Sequence, residues 1–142
     1  MSKNIQALLE YALDRDNAED QDINFGNIPN ILAQDINRET GVAVRGAVKT
    51  LSCFGIRHAV DTHGDHAKEN ERGQIGIVEA DFLLIPSIIG EPDSFERGHD
   101  KKGKKSVVFI KRIGSRTYYV VMSITKDTPV AKFMFNTMYI KK

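Results

Sequence analysis

The chain has 142 residues, 41% of them hydrophobic and 27% charged, with a formal net charge of +1. This length and composition predict one globular domain, residues 1–142, with a buried core. No apolar run approaches the roughly 20 residues of a membrane-spanning helix, so no membrane partner is expected. The N-terminus lacks the basic-then-apolar order of a signal peptide, which makes the cytoplasm the expected location. The single cysteine excludes an internal disulfide and a cysteine-rich zinc site.

The net charge conceals an uneven distribution along the chain. Residues 1–96 hold 8 Lys/Arg against 17 Asp/Glu, whereas residues 97–142 hold 12 Lys/Arg against 2 Asp/Glu. Such an asymmetry predicts either a basic C-terminal surface that faces a polyanion or two halves that neutralise each other in the fold.

The first 40 residues predict a helical, acidic segment. Five apolar residues recur at helical spacing within residues 4–15 and predict an amphipathic helix: Ile5, Leu8, Leu9, Ala12 and Leu13. The acidic stretch 14–22 predicts a solvated loop. Residues 25–29 predict a turn because they combine glycine, asparagine and proline. The apolar positions within 31–36 fit a short helix or strand, and those within 42–44 a short strand.

The middle of the chain predicts a capped helix followed by irregular structure. Ser52 is a suitable N-cap, and Gly64 can supply a left-handed residue that ends the helix. The polar residues 65–73 predict a loop, and residues 76–78 a short strand. Residues 81–89 fit a short helix interrupted at Pro86.

The last third of the chain predicts a sheet. Residues 97–105, RGHDKKGKK, form a basic loop, and three segments rich in Val, Ile, Phe and Tyr follow at 106–113, 117–124 and 131–140. Gly114 and Ser115 predict a tight turn between the first two, so the three strands form an antiparallel meander. Simple alternation places four residues of the last strand on one face: Phe133, Phe135, Thr137 and Tyr139. N-terminal helices followed by a C-terminal antiparallel meander predict an α+β fold.

Residues 57–74, RHAVDTHGDHAKENERGQ, concentrate side chains suited to proton transfer and phosphate binding: His58, His63, His66, Glu69, Arg72 and Gln74. This combination suggests phosphodiester chemistry. Three other interpretations stay open from the residues alone. The cluster can be a solvated helix end, or the three histidines can bind a metal with Asp61, Asp65 or Glu69, although the spacing matches no known zinc pattern. The chain can also be a non-catalytic module that binds RNA or a virion protein.

Several segments resemble, in order, the phage-encoded members of the barnase–EndoU–colicin–RelE group of ribonuclease-like domains. The matching segments are IRHAVDTHG (56–64), ENERGQIGI (69–77), DFLLIPSII (81–89), EPD (91–93), VVFIKRI (107–113) and FNTMYIKK (135–142). The pattern RHxxxxHG followed by ExxRGQ is the most specific part. The resemblance covers residues 41–142 as a family-like core and leaves residues 1–40 as an N-terminal extension.

The resemblance implies a helical segment on a four-stranded antiparallel sheet and a ribonuclease that needs neither a metal nor another cofactor. Its catalytic residues fall on His58, His63, Arg72, Lys111 and Thr137, with Glu69 and Gln74 in support. His66 lies outside the pattern and is kept as an optional member. The implied partner is RNA, with tRNA as one candidate, and the prophage and toxin context of such domains adds a possible inhibitor or immunity protein.

Overall fold

The computed structural model describes residues 2–14, 16–17, 19–100, 103–125 and 131–142. Helices and short strands occupy the first two thirds of the chain, and three long strands occupy the last third. The elements are α1 (Ser2–Leu13), β1 (Asp22–Asn27), α2 (Asn30–Thr40), β2 (Val48–Ser52), α3 (Cys53–His63), α4 (His66–Glu71), β3 (Gln74–Ile75), α5 (Glu79–Phe82), α6 (Ile85–Gly90), β4 (Ser94–Arg97), β5 (Ser106–Ile113), β6 (Arg116–Thr125) and β7 (Lys132–Lys141). The predicted α+β class is confirmed.

One sheet with strand order β1-β2-β7-β6-β5-β4 organises these elements, and β3 also pairs with β7. The predicted meander of β5, β6 and β7 is confirmed, with every neighbouring pair antiparallel. Gly114, at φ +62°, forms the predicted tight turn between β5 and β6. The sheet is wider than the four strands that the resemblance implies, because β1 and β2 extend it beyond β7. Strand β2 runs parallel to β7.

A β-bulge in β7 changes which side chains share a face. Val121 pairs with Thr137, but the next residue, Met122, pairs with Phe135, so Asn136 is an extra residue in the strand. The prediction that Phe133 and Phe135 share a face with Thr137 and Tyr139 is therefore wrong. Before the bulge the odd-numbered residues face the core, and after it Met138 and Ile140 do. The bulge turns the second half of the strand over, because one added residue reverses the alternation.

The first half of the chain matches the predictions in part. The apolar stripe of α1 is buried, and residues 31–36 lie in a helix, α2, that ends at Gly41 in the left-handed conformation. The turn predicted at residues 25–29 is wrong for its first part, because β1 continues through Asn27. The strand predicted at 42–44 is also wrong. Val42 and Val44 are buried in a segment without regular secondary structure. The next strand, β2, begins only after the left-handed Gly46.

The segment after β2 contains more helix than predicted. Ser52 caps α3 as expected, with its hydroxyl accepting the Gly55 N–H at 3.0 Å. Gly64 ends α3 in a right-handed conformation at φ −88°, so the expected left-handed cap is wrong. The loop predicted over 65–73 is wrong as well, because the Asp65 side chain accepts N–H groups of Ala67 and Lys68 and starts α4.

The short elements before the meander are displaced from the predicted ones. The strand is Gln74–Ile75 rather than residues 76–78. The helix predicted over 81–89 is two helices, α5 and α6, and Pro86 lies in the first turn of α6. Proline is tolerated there because the first helical N–H groups have no intrahelical acceptor.

One hydrophobic core joins the N-terminal helix to the sheet. It includes Ile5, Leu9, Phe82, Phe109 and Phe133, all fully buried. The division into a 1–40 extension and a 41–142 core stays a prediction, but α1 packs into the same core as β7. None of the described helices is long and apolar enough to cross a membrane.

Candidate active site

Helix α3 lies against β7 and positions His63. A Cβ atom added at Gly55 would come within 2.8 Å of the Phe135 carbonyl oxygen, so the two backbones are in close approach. The inner side of the helix is formed by buried residues that include Cys53, Ile56 and Ala59. At the C-terminal end of α3, the ring of His63 lies 5.7 Å from the ring of Tyr139, centroid to centroid. The packing of α3 therefore brings an imidazole to the C-terminal half of β7.

His63, Glu69 and Arg72 form one hydrogen-bonded array. The Nδ1 atom of His63 lies 3.1 Å from Oε2 of Glu69, and Nη1 of Arg72 donates to Oε1 of the same carboxylate at 2.7 Å. Arg72 also donates to the Thr62 carbonyl at 3.2 Å, which ties α4 to the end of α3. The Glu69 side chain is 0% exposed, His63 is 13% exposed and Arg72 is 50% exposed. A buried carboxylate thus joins a nearly buried imidazole to a guanidinium that reaches solvent.

This array lies beside an aromatic pair on the sheet. The rings of Tyr119 and Tyr139 stack at 4.8 Å with an interplanar angle of 7°. The ammonium of Lys141 lies 5.2 Å from the Tyr119 ring centroid and 5.9 Å from that of Tyr139. Ile110, Tyr119 and Tyr139 are in register across β5, β6 and β7, so they share the face opposite Met138 and Ile140. We call this the open face.

The environment of Tyr139 raises the pKa of its phenol. Burial is the largest cause, followed by the neighbouring Tyr119 and the negative charge of Glu96. Glu96 pairs with Val108 in β4–β5, which places it on the open face too. The phenol therefore stays protonated to a higher pH than an ordinary tyrosine and can donate a hydrogen bond.

Two further predicted residues lie on the open face with unpaired buried oxygens. Thr137 shares a register position with Val121, and Gln74 pairs with Lys141. Within the described part of the chain, Thr137 Oγ1 and Gln74 Oε1 are buried side-chain oxygens without a hydrogen-bond partner. Buried polar atoms are rarely left unpaired, so each of these two oxygens calls for an explanation, and a bound ligand is one.

The other two predicted histidines lie outside the array. The His58 ring is nearly parallel to that of Phe54, 6.3 Å away, and has no hydrogen bond to the described residues. The His66 ring lies against Gly76, where an added Cβ would be 2.7 Å from its Nδ1. The described structure records no contact of either imidazole with His63.

Lys111 is on the other face of the sheet. It pairs with Tyr118, which in turn pairs with Ile140 of the core face. Its ammonium donates to the Glu91 carbonyl at 2.6 Å and lies 3.9 Å from the Asp93 carboxylate. The structure therefore does not bring Lys111 to the His63 array.

The proposed metal interpretation finds no geometric support. Within the described ranges, no group of three or more His, Cys, Asp or Glu side chains is placed to hold a metal ion. Glu69, the carboxylate that contacts His63, is already bonded to Arg72.

Sequence reasoning missed Tyr119, Tyr139 and Lys141 as site residues. A signal was present, because Tyr139 and Lys141 alternate with apolar residues at the end of the last strand. Their relation to the histidine depended on the bulge at Asn136, for which the sequence carries no clear mark.

Comparison with known proteins identifies the family of the chain. The family described as phage-Barnase-EndoU-ColicinE5/D-RelE like nuclease3 matches residues 26–142. The match begins in β1, earlier than the residue 41 expected from the resemblance. No curated protein and no solved structure matches the chain. The chain belongs to this family of phage-associated nucleases, and its substrate class is therefore nucleic acid.

Proposed function

We propose that the chain is a metal-independent endoribonuclease in which His63 carries protons during attack by the ribose 2′-hydroxyl. The observation that supports this proposal is the array of His63, Glu69 and Arg72 beside Tyr139 and Lys141. It combines a proton carrier, a carboxylate that orients it and two cations. These are the groups that cleavage of RNA requires when no metal takes part.

The array defines how His63 would act. Its Nδ1–H donates to Glu69, which fixes the tautomer and leaves Nε2 to accept a proton. In the proposed reaction Nε2 takes the proton of the 2′-hydroxyl, and the 2′-oxygen attacks the adjacent phosphorus. The bond to the 5′-oxygen breaks, and that oxygen takes a proton as it leaves. The products are a 2′,3′-cyclic phosphate and a 5′-hydroxyl.

Two groups of the chain are candidates for protonating the leaving oxygen. His58 is the second histidine of the sequence pattern, which left open which histidine is the acid and which the base, and Tyr139 is the residue in ring contact with His63. Even with its pKa raised, the phenol is a far stronger acid than the alcohol that forms from the leaving 5′-oxygen. It can therefore give its proton to that oxygen. We assign this step to Tyr139, because its position beside the array needs no rearrangement of α3.

Lys141 and Arg72 would stabilise the negative charge that develops on the phosphoryl oxygens. Arg72 uses Nη1 for Glu69 and the Thr62 carbonyl, and its Nε and Nη2 atoms have no partner among the described residues. Lys141 is exposed on the strand end beside the tyrosine pair. Thr137, whose hydroxyl has no hydrogen-bond partner among the described residues, would add a donor to a phosphate oxygen.

The decisive experiment incubates pure protein with total tRNA in a chelator and determines the product ends by mass. Wild type should produce cyclic phosphate ends, and His63→Ala should lose at least about 100-fold in rate. His99→Ala is the matched control, because His99 is exposed in the loop before β5. Equal cleavage of DNA, a requirement for a divalent metal or full activity of His63→Ala would refute the proposal. Stoichiometric RNA binding without turnover would indicate a binding module instead.

A further inference from the structure

The N-terminal half of α3 exposes an aromatic ring that the proposed reaction does not use. Phe54 is 69% exposed, and the other large exposed apolar residues of the described chain are Ile31 and Val78, neither of them aromatic. Its backbone N–H donates to the Asp20 carboxylate at 2.9 Å, which fixes the start of the helix. An exposed phenylalanine on a well-anchored helix presents a rigid apolar surface to solvent.

His58 extends this surface. The rings of Phe54 and His58 are within 6° of parallel, with centroids 6.3 Å apart, as expected for side chains four residues apart on a helix. We call the two rings the aromatic platform. The His58 side chain has no hydrogen bond to the described residues, so its ring is positioned by the contact with Phe54.

The row of residues that carries the platform ends next to the candidate active site. Phe54, His58 and Thr62 follow each other at intervals of four residues and therefore lie along one side of α3. The Thr62 carbonyl at the end of this row accepts a hydrogen bond from Arg72. At a rise of about 1.5 Å per residue, His58 lies about 7.5 Å and Phe54 about 13.5 Å from His63 along the helix axis.

We propose that the aromatic platform is a stacking subsite for an unpaired nucleobase of the RNA substrate. This inference rests on the proposed function. Bases stacked along one strand are about 3.4 Å apart, so the platform lies about two to four nucleotides from the bond that is cleaved. Stacking on an aromatic side chain does not depend strongly on base identity, because every base has a flat π-face. His58 thus acts in binding, not in proton transfer.

The test separates binding from cleavage. A fluorescent 2′-O-methyl RNA octamer cannot be cleaved by 2′-hydroxyl attack, and its affinity is measured by anisotropy at fixed low salt. Phe54→Ala should weaken binding by about 5-fold to 150-fold, the range for loss of one base–aromatic stack. Phe54→Trp should bind at least as well as wild type. Ile31→Ala is the matched control, because it removes an equally exposed apolar side chain from α2 and should not change the affinity.

Cleavage kinetics then test the role of His58. A dinucleotide with one phosphodiester is too short to reach the platform, so Phe54→Ala should cleave it at the wild-type rate. His58→Phe keeps an aromatic ring but cannot carry a proton, and it should cleave the octamer RNA nearly as fast as wild type, while His58→Ala should raise KM.

Two results would overturn the inference. One is unchanged octamer affinity in Phe54→Ala, and the other is loss of kcat in His58→Phe as large as in His63→Ala. If wild type fails to cleave but Phe54→Ala still weakens octamer binding, the proposed reaction is refuted and the stacking subsite stands.

Discussion

Replacement of Glu69 by glutamine tests the active-site array most directly. Glutamine has the shape of glutamate but no charge, and it cannot accept strong hydrogen bonds from both His63 and Arg72 through two anionic oxygens. The present distances are 3.1 Å to His63 Nδ1 and 2.7 Å to Arg72 Nη1. The substitution should release the imidazole from its fixed tautomer without opening a cavity.

The expected effect on cleavage is much larger than the effect on folding. General acid–base catalysis is worth about 10²–10⁴ in rate, and an imidazole in the wrong tautomer forfeits most of it. We expect kcat to fall by about 10²-fold or more in Glu69→Gln. Weakened hydrogen bonds at a buried site cost about 1–2 kcal/mol, discounted here because Arg72 is half exposed. For a chain of this length, this loss corresponds to a fall in Tm of about 3–7 °C.

A double-mutant cycle measured on octamer RNA supplies the assay. Because His63 and Glu69 are proposed to act as a unit, His63→Ala combined with Glu69→Gln should be no slower than His63→Ala alone. Glu71→Gln is the control, since Glu71 lies exposed on the same helix. Multiplicative losses in the double mutant, or full activity of Glu69→Gln in folded protein, would refute the reasoning.

Three further predictions follow from the geometry. Lys141→Ala should slow RNA cleavage about 10-fold or more by removing a cation beside the tyrosine pair, whereas Lys142→Ala, one residue further along, should have little effect; equal losses would contradict a local role. Burial raises the pKa of Tyr139 above its ordinary value near 10. Its contribution to the free energy of unfolding is therefore present below pH 10 and is lost as the pH rises through the folded-state pKa. In urea unfolding from pH 8 to 11, the free energy of unfolding should decline less steeply for Tyr139→Phe than for wild type. Gly55→Ala should destabilise the fold by about 1–3 kcal/mol, because its Cβ would lie 2.8 Å from a carbonyl oxygen of β7, and Gly90→Ala, with nothing within 4 Å, should be neutral or stabilising in thermal unfolding.

Local chemistry made part of the site predictable. His63 and the Glu69–Arg72 pair lie within ten residues of each other. A helix capped at Ser52 and a loop over 65–73 were therefore enough to predict that Glu69 and Arg72 come from the same side. The expected loop between them is a helix, because the Asp65 side chain caps it. That error did not separate the residues, since positions 69 and 72 are neighbours on a helix as well.

Residues far apart in sequence were less predictable. The family resemblance implies a catalytic role for Lys111. Strand pairing instead places Lys111 next to Tyr118 on the core face of the sheet. Lys141 lies on the open face because the bulge at Asn136 reverses the alternation of β7. A single inserted residue has no distinct composition, and its effect appears only when two strands are paired.

The sequence by itself determined the α+β class, the meander, the cap of α3 and the neighbourhood of His63, Glu69 and Arg72, because each depends on spacing within a short segment. The tertiary structure alone decided that the rings of Tyr139 and Tyr119, with the ammonium of Lys141 near them, lie on the side of the sheet that His63 contacts. That choice depends on strand register and on the close approach of α3 to β7, both of which are set by long-range packing of the core.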